Sequence, residues 1–95
     1  MLRFIAVHPG AFSEEMLQPL SKQALPESVT WKATFTAFED DRTFCHWEAA
    51  SRDDVLAVFR KYEIPYEALH EVRLFDPVTG TMEAAPAREK MLAPM

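Results

Sequence analysis

The chain has 95 residues, of which 48% are hydrophobic and 26% are charged, and its formal net charge is −5. This length and balance indicate one small globular domain, and the acidic charge without a basic stripe argues against nucleic-acid or anionic-membrane surfaces. A single cysteine, Cys45, excludes an internal disulfide framework. We also find no long apolar run and no signal-peptide pattern. We therefore expect a cytoplasmic protein.

The first elements are a strand and a helix. Residues 2–8 form a short apolar run that ends at a Pro-Gly pair, which is typical of a strand. Ser13, followed by two glutamates, predicts a helix start, because a serine side chain caps free N–H groups and carboxylates favour the positive end of the helix. Apolar spacing extends over 13–24, but Pro19 inside it predicts a kink or a shorter helix.

The clearest pattern lies at 29–49. Aromatic and β-branched runs near 29–38 and 43–49 flank a charged break at 39–42, as in a β-hairpin. Ser51 then begins a second helix whose apolar face ends before Pro65.

The last predicted strand covers 69–75, and a turn follows at 76–80. The order β-α-β-β-α-β predicts an α+β, ferredoxin-like domain over 1–80, with both helices on one face of a four-stranded antiparallel sheet ordered 4-1-3-2. We expect the tail, 81–95, to be poorly ordered or packed on a partner subunit.

Alternation along the strands divides the sheet into a helix side and an open face. The more apolar set is assigned to the helix side: Trp31, Phe35, Cys45, Trp47, His70, Val72 and Leu74. The open face then holds His46, Glu48, Glu71 and Arg73, together with Phe44 and Phe75. Since the first strand is apolar on both sides, this face is too apolar for water alone. We predict that a second copy covers it, giving a homodimer of the α/β-barrel type with a partly polar cavity.

His46 and Glu48 are the first candidates for a site, because residues two apart on a strand share a face. Imidazole and carboxylate groups suit zinc or nickel, and a third ligand could come from Glu71 or His8. His8 and His70 should be neighbours in the predicted sheet order. The candidate metal ligands are thus His46, Glu48 and His8.

A different use of the same residues is catalytic. His46 could act as a general base beside Glu48 or Glu71, with Arg73 binding a substrate carboxylate or enolate. The alternative for Glu71 and Arg73 is cross-strand charge pairing, and the alternative for His46 is a polar residue that lines the dimer cavity or its interface. Cys45 is expected to be a buried, inert thiol, and Trp31 and Trp47 to belong to the core.

The run Thr43-Phe44-Cys45-His46-Trp47-Glu48-Ala49 has a distinctive order, and Trp31 and Asp40-Asp41 precede it. With Ser13-Glu14-Glu15, Ile64-Pro65 and Glu71-Val72, it resembles a family of small bacterial proteins of unknown function that includes nickel-binding members with a ferredoxin-like fold. The likeness covers roughly residues 2–80. Where the family carries histidines on the second strand and in the second helix, this chain has residues near Phe35 and at Val58, so the resemblance implies the fold and dimerisation more than nickel binding.

Three functions follow as hypotheses. The first is a homodimeric protein that binds a small ligand, or a divalent metal ion such as nickel or zinc, through His46, Glu48, Glu71 and Arg73 on the open face. The second is a cofactor-independent dimeric α/β-barrel enzyme, an isomerase or monooxygenase, with His46 as the base. The third is a subunit-interaction module without a ligand.

Overall fold

The computed structural model describes residues 1–85, and 86–95, most of the predicted tail, lie outside the described residues. The elements in chain order are β1 Leu2–Pro9, α1 Glu14–Ser21, β2 Val29–Ala37, β3 Arg42–Ala49, α2 Arg52–Lys61, β4 Ala68–Val72, β5 Phe75–Asp76 and β6 Thr81–Met82. The prediction of an α+β domain with two helices and a four-stranded antiparallel sheet is confirmed.

The main sheet has the order β2-β3-β1-β4, and each neighbouring pair is antiparallel. A second, two-stranded sheet pairs β5 with β6. The core lies between the main sheet and α2, where apolar residues of β1, β3 and α2 are almost fully buried: Phe4, Ala6, Cys45, Trp47, Val55, Val58 and Phe59. We call the sheet surface that bears this core the helix side, and the opposite surface the open face.

Both helices begin at the residues that the sequence predicts. The Ser13 hydroxyl accepts a hydrogen bond from the Met16 N–H at 3.2 Å, and the Ser51 hydroxyl accepts one from the Asp54 N–H, also at 3.2 Å. Each bond satisfies a backbone donor that has no partner inside the helix. The first helix ends at Ser21 and contains Pro19, so it is shorter than the 13–24 pattern.

An extra residue in β2 corrects the predicted orientation of this strand. Trp31 lies opposite Trp47, but Ala33 lies opposite His46, so Lys32 is a β-bulge. Strict alternation placed Phe35 on the helix side. That prediction is wrong, because the bulge reverses the phase: Phe35 lies opposite Phe44 on the open face and is 64% exposed.

The predicted phase of β4 is also wrong. Leu69 lies opposite Ala6 and is buried on the helix side, which places His70 and Val72 on the open face and Glu71 on the helix side. The strand ends at Val72, so Leu74 lies beyond the sheet and the predicted alternation does not apply to it. Leu74 is accordingly 53% exposed.

Deleting single residues of β2 tests the position of the bulge. Removing Lys32 leaves every other residue of β2 opposite its present partner, so we expect the free energy of unfolding to change by less than about 1 kcal/mol. Removing Thr36 instead forces Phe35 toward the buried position opposite Thr43, which should cost more than about 2 kcal/mol. Urea unfolding of both variants measures the difference, and equal losses would contradict the assigned register.

Candidate functional site

The open face carries a cluster of four polar side chains at one end of β1. Arg3 lies opposite Glu48, and His46 lies opposite Ile5, one pair further along the same two strands. Since residues two apart on a strand share a face, Arg3, His46 and Glu48 meet on the open face. Glu83, which follows β6, completes what we call the Arg3 cluster.

Arg3 is the centre of this cluster. Its Nε and Nη2 donate hydrogen bonds to the two carboxylate oxygens of Glu83 at 3.1 and 2.8 Å, a bidentate pair. Its Nη1 lies 2.6 Å from Nε2 of His46 and 3.3 Å from a carboxylate oxygen of Glu48. The Arg3 side chain is only 16% exposed, so these contacts are partly shielded from water.

The C-terminal hairpin holds Glu83 in place. The Glu83 N–H donates to the Leu74 carbonyl at 2.8 Å, and the Leu74 N–H donates to the Glu83 carboxylate at 3.1 Å. The turn that joins β5 to β6 closes with Gly80 at φ 72°, where its N–H donates to the Asp76 carbonyl. Hydrogen bonds from Arg3 and from the Leu74 backbone lower the pKa of Glu83 to about 2, so it is an anion at neutral pH.

His46 is neutral in this arrangement. Burial, followed by the adjacent Arg3 cation, lowers the pKa of His46. Because a guanidinium can only donate, Nε2 of His46 accepts this hydrogen bond, and the proton of the neutral ring lies on Nδ1. The lone pair that a general base would use is therefore bound to Arg3, and this geometry does not favour the predicted catalytic role of His46.

The cluster does not suit a divalent metal ion. Among residues 1–85, no group of three or more histidine, cysteine, aspartate or glutamate side chains is arranged to hold a metal. The Arg3 guanidinium lies between the two acids and His46, where it repels a cation. His8, the third candidate ligand, is buried on the helix side, away from His46 and Glu48.

The other candidate residues lie apart from the cluster or beyond the sheet. Glu71 lies opposite Phe4 on the helix side, and Arg73 is an exposed residue after the end of β4. His70, which we predicted on the helix side, is on the open face, across Ile5 from His46. As expected, Cys45 is buried, and burial raises the pKa of its thiol.

Arg3 and Glu83 are not among the site residues predicted from the sequence. Arg3 is the one charged residue inside the apolar first strand, and that exception was the available signal. Glu83 lies in the segment assigned to the tail, and only the hairpin brings it back to β1. No local pattern in the sequence indicates that return.

Acid titration tests the Glu83 contact. A carboxylate whose pKa falls from 4.5 to about 2 stabilises the fold above pH 4.5, and this stabilisation disappears as the pH falls toward 2. The Glu83 side chain is 35% exposed, so solvent screening should keep the loss below about 1 kcal/mol. We expect Glu83→Gln to remove that part of the acid loss in urea unfolding measured across this pH range.

Glu67→Gln is the matched control, because it breaks a different pair, Arg42 Nε to Glu67 at 2.7 Å. This variant should keep the Glu83-dependent loss. A Glu83→Gln variant with the same acid profile as the wild type would contradict the assigned contact.

Comparison with known proteins gives two matches. Residues 6–72 match a family described as nickel responsive protein SCO4226-like. The crystal structure of SCO4226 from Streptomyces coelicolor A3(2) superposes with a TM-score of 0.63 at 20% identity, covering 76% of this chain and 96% of that one.

No curated protein matches the chain. Within the described residues, neither helix is both long and apolar enough to cross a bilayer. The family match spans well over half of the chain. The protein therefore belongs to the SCO4226-like family of nickel responsive proteins.

Proposed function

We propose that the protein is a cytoplasmic, homodimeric binding protein of the ferredoxin-like type, and that its Arg3 cluster binds a small ligand through a carboxylate group. The observation that carries the proposal is the bidentate contact between Arg3 and Glu83. Planar guanidinium and carboxylate groups match each other in shape and charge. The site already holds a carboxylate, supplied by its own chain.

Three features support a carboxylate as the ligand group. Arg3 presents two parallel N–H donors, and its side chain is mostly shielded from water. The Leu74 N–H provides a further donor to the same carboxylate. His46, being neutral, accepts a hydrogen bond from Arg3 Nη1 through Nε2 and so holds the guanidinium in place without adding charge. An external carboxylate would take the position of the Glu83 side chain.

The family description favours a metal as the alternative ligand. Nickel responsiveness belongs to the family by name, and His46 and Glu48 are two of the three candidate ligands that the sequence predicts, with His8 as the third. In the described residues these two side chains share their site with the Arg3 cation. We therefore place the carboxylate ahead of nickel or zinc.

The open face supports dimerisation. Its strands carry apolar side chains that the described residues leave partly exposed, among them Ile5, Val7, Phe44 and Val72. Phe35, which the bulge turns to this face, is 64% exposed. A second copy would cover this surface and enclose the Arg3 cluster in a cavity.

Displacing the internal carboxylate tests the proposed ligand. Glu83→Gln weakens the occupant of the Arg3 site, so we expect benzoate, used as a probe, to bind this variant at least about tenfold more tightly than the wild type. Arg3→Gln should abolish binding in both backgrounds. Calorimetry measures affinity, and the ring resonances of His46 report the location.

Glu67→Gln serves again as the control, since its ion pair lies at the opposite end of β1. Equal benzoate affinity of Glu83→Gln and the wild type would contradict the proposal. Titration with Ni²⁺ or Zn²⁺ against a chelator addresses the alternative. Stoichiometric metal binding that is lost in His46→Ala would show that the ligand is a metal ion and would contradict the carboxylate proposal.

Sedimentation tests the dimer. Phe35→Glu places a charge on the open face, and because Phe35 makes little contact within its own subunit, we expect a folded monomer. Phe38→Glu is the control, because Phe38 is similarly exposed at 69% but lies beside α1. It should remain dimeric. A wild-type protein that is monomeric at micromolar concentration would contradict the proposed assembly.

A further inference from the structure

A small cavity lies on the helix side, away from the Arg3 cluster. Its volume is about 20 Å³, and side chains of α1, β2, β3 and the end of β1 line it, including Leu17, Leu20, Trp31, Cys45, Trp47 and His8. Residues of α2 and of the segment after it, Val58, Tyr62 and Ile64, close the other wall. A cavity of this size admits about one water molecule.

Two buried polar atoms of residues that line this cavity have no partner. The His8 side chain is 1% exposed, and its Nδ1 donates to the Pro65 carbonyl at 2.7 Å. Because a carbonyl only accepts, the ring proton lies on Nδ1, and Nε2 is an acceptor. Within the described residues, neither His8 Nε2 nor the Trp47 Nε1–H has a hydrogen-bonding partner. A buried polar atom without a partner costs about 1–3 kcal/mol.

The cavity wall carries no charge. Burial lowers the pKa of His8, and burial raises the pKa of the Cys45 thiol, so both groups are neutral near pH 7. The remaining lining is aliphatic or aromatic, and the Trp31 and Trp47 rings stack with centroids 5.7 Å apart. An ion would lose its hydration here without finding an opposite charge.

The first helix is placed as a cover for this cavity. Leu17 and Leu20 are part of the wall, yet no residue of α1 is buried, and Pro19 lies inside the helix. Both flanks of the helix are tied down. Phe12, before it, exchanges hydrogen bonds with Thr43 and Thr36, and the Ala24 carbonyl, after it, accepts from the Tyr62 hydroxyl. A weakly packed helix between two fixed points can move outward at low cost.

We propose that this cavity is a binding site for a small neutral molecule that combines an apolar body with one hydroxyl group, such as a phenol or a short alcohol. A hydroxyl can donate to Nε2 of His8 and accept from Nε1–H of Trp47, so it complements both unpartnered atoms. The apolar body fills the space that α1 vacates as it moves outward. The proposal is independent of the open-face site.

Phenol and toluene test the proposal, because they have similar size and differ in the hydroxyl group. We expect phenol to bind at least about tenfold more tightly than toluene, and benzoate not to enter the cavity. Calorimetry gives the affinities, and the fluorescence of the Trp31–Trp47 pair reports the location. Equal affinity for phenol and toluene, or no binding of phenol at millimolar concentration, would overturn the proposal.

Variants locate the site. Leu20→Trp occupies the space proposed for the apolar body of the ligand and should abolish phenol binding, whereas Met16→Trp places the same side chain on α1 at a position that is 52% exposed and outside the lining. The second variant should bind phenol as the wild type does. Phenol binding that survives Leu20→Trp would place the ligand elsewhere and overturn the proposal.

Two further variants test the hydroxyl contacts. Trp47→Phe keeps the aromatic packing and removes the donor, and His8→Phe removes the acceptor. Each should lower the preference for phenol over toluene by roughly tenfold. His8→Phe also leaves the Pro65 carbonyl without its donor, so Trp47→Phe decides the question if the histidine variant fails to fold. A Trp47→Phe variant with an unchanged preference would overturn the assignment.

Discussion

The alternation of side chains along β1 is the constraint on which the rest of the structure depends. This strand lies inside the sheet, between β3 and β4, so both of its edges are hydrogen-bonded to neighbouring strands. One face directs Phe4, Ala6 and His8 into the core, and the other directs Arg3 to the polar cluster. A shift of one residue would bury the guanidinium and expose the core. The two surfaces proposed to bind ligands are therefore set by one register.

The helices and the hairpin could be predicted because short sequence signals determine them. Serine caps, acidic first turns and the aromatic hairpin define elements within a few residues of themselves, and each lies where the sequence places it. The errors arise where a strand departs from regular alternation or, as in β4, carries apolar residues on both faces, with Leu69 on the helix side and Val72 on the open face. The bulge at Lys32 turns the Phe35 side chain to the open face. The strand β4 ends before Leu74, so the side chain of Leu74 has no place on either face of the sheet.

The candidate site was harder to predict, for a physical reason. His46 and Glu48 share a strand, and alternation alone brings them together. Arg3 contacts His46 from 43 positions away, which depends on the order of the sheet, and Glu83 contacts Arg3 from 80 positions away, which depends on the return of a short hairpin. Charged residues at such distances carry no periodic signal, and a glutamate in a polar tail resembles any other surface glutamate.

The position of Glu83 has a consequence for selectivity. A carboxylate tethered next to the proposed binding site competes with every free ligand at an effective concentration that, for short connections, is of the order of millimolar. A simple carboxylate at lower concentration would lose that competition. Only a molecule with additional contacts to the surrounding face would displace the Glu83 side chain, so the C-terminal hairpin sets a threshold of affinity below which the Arg3 site remains closed.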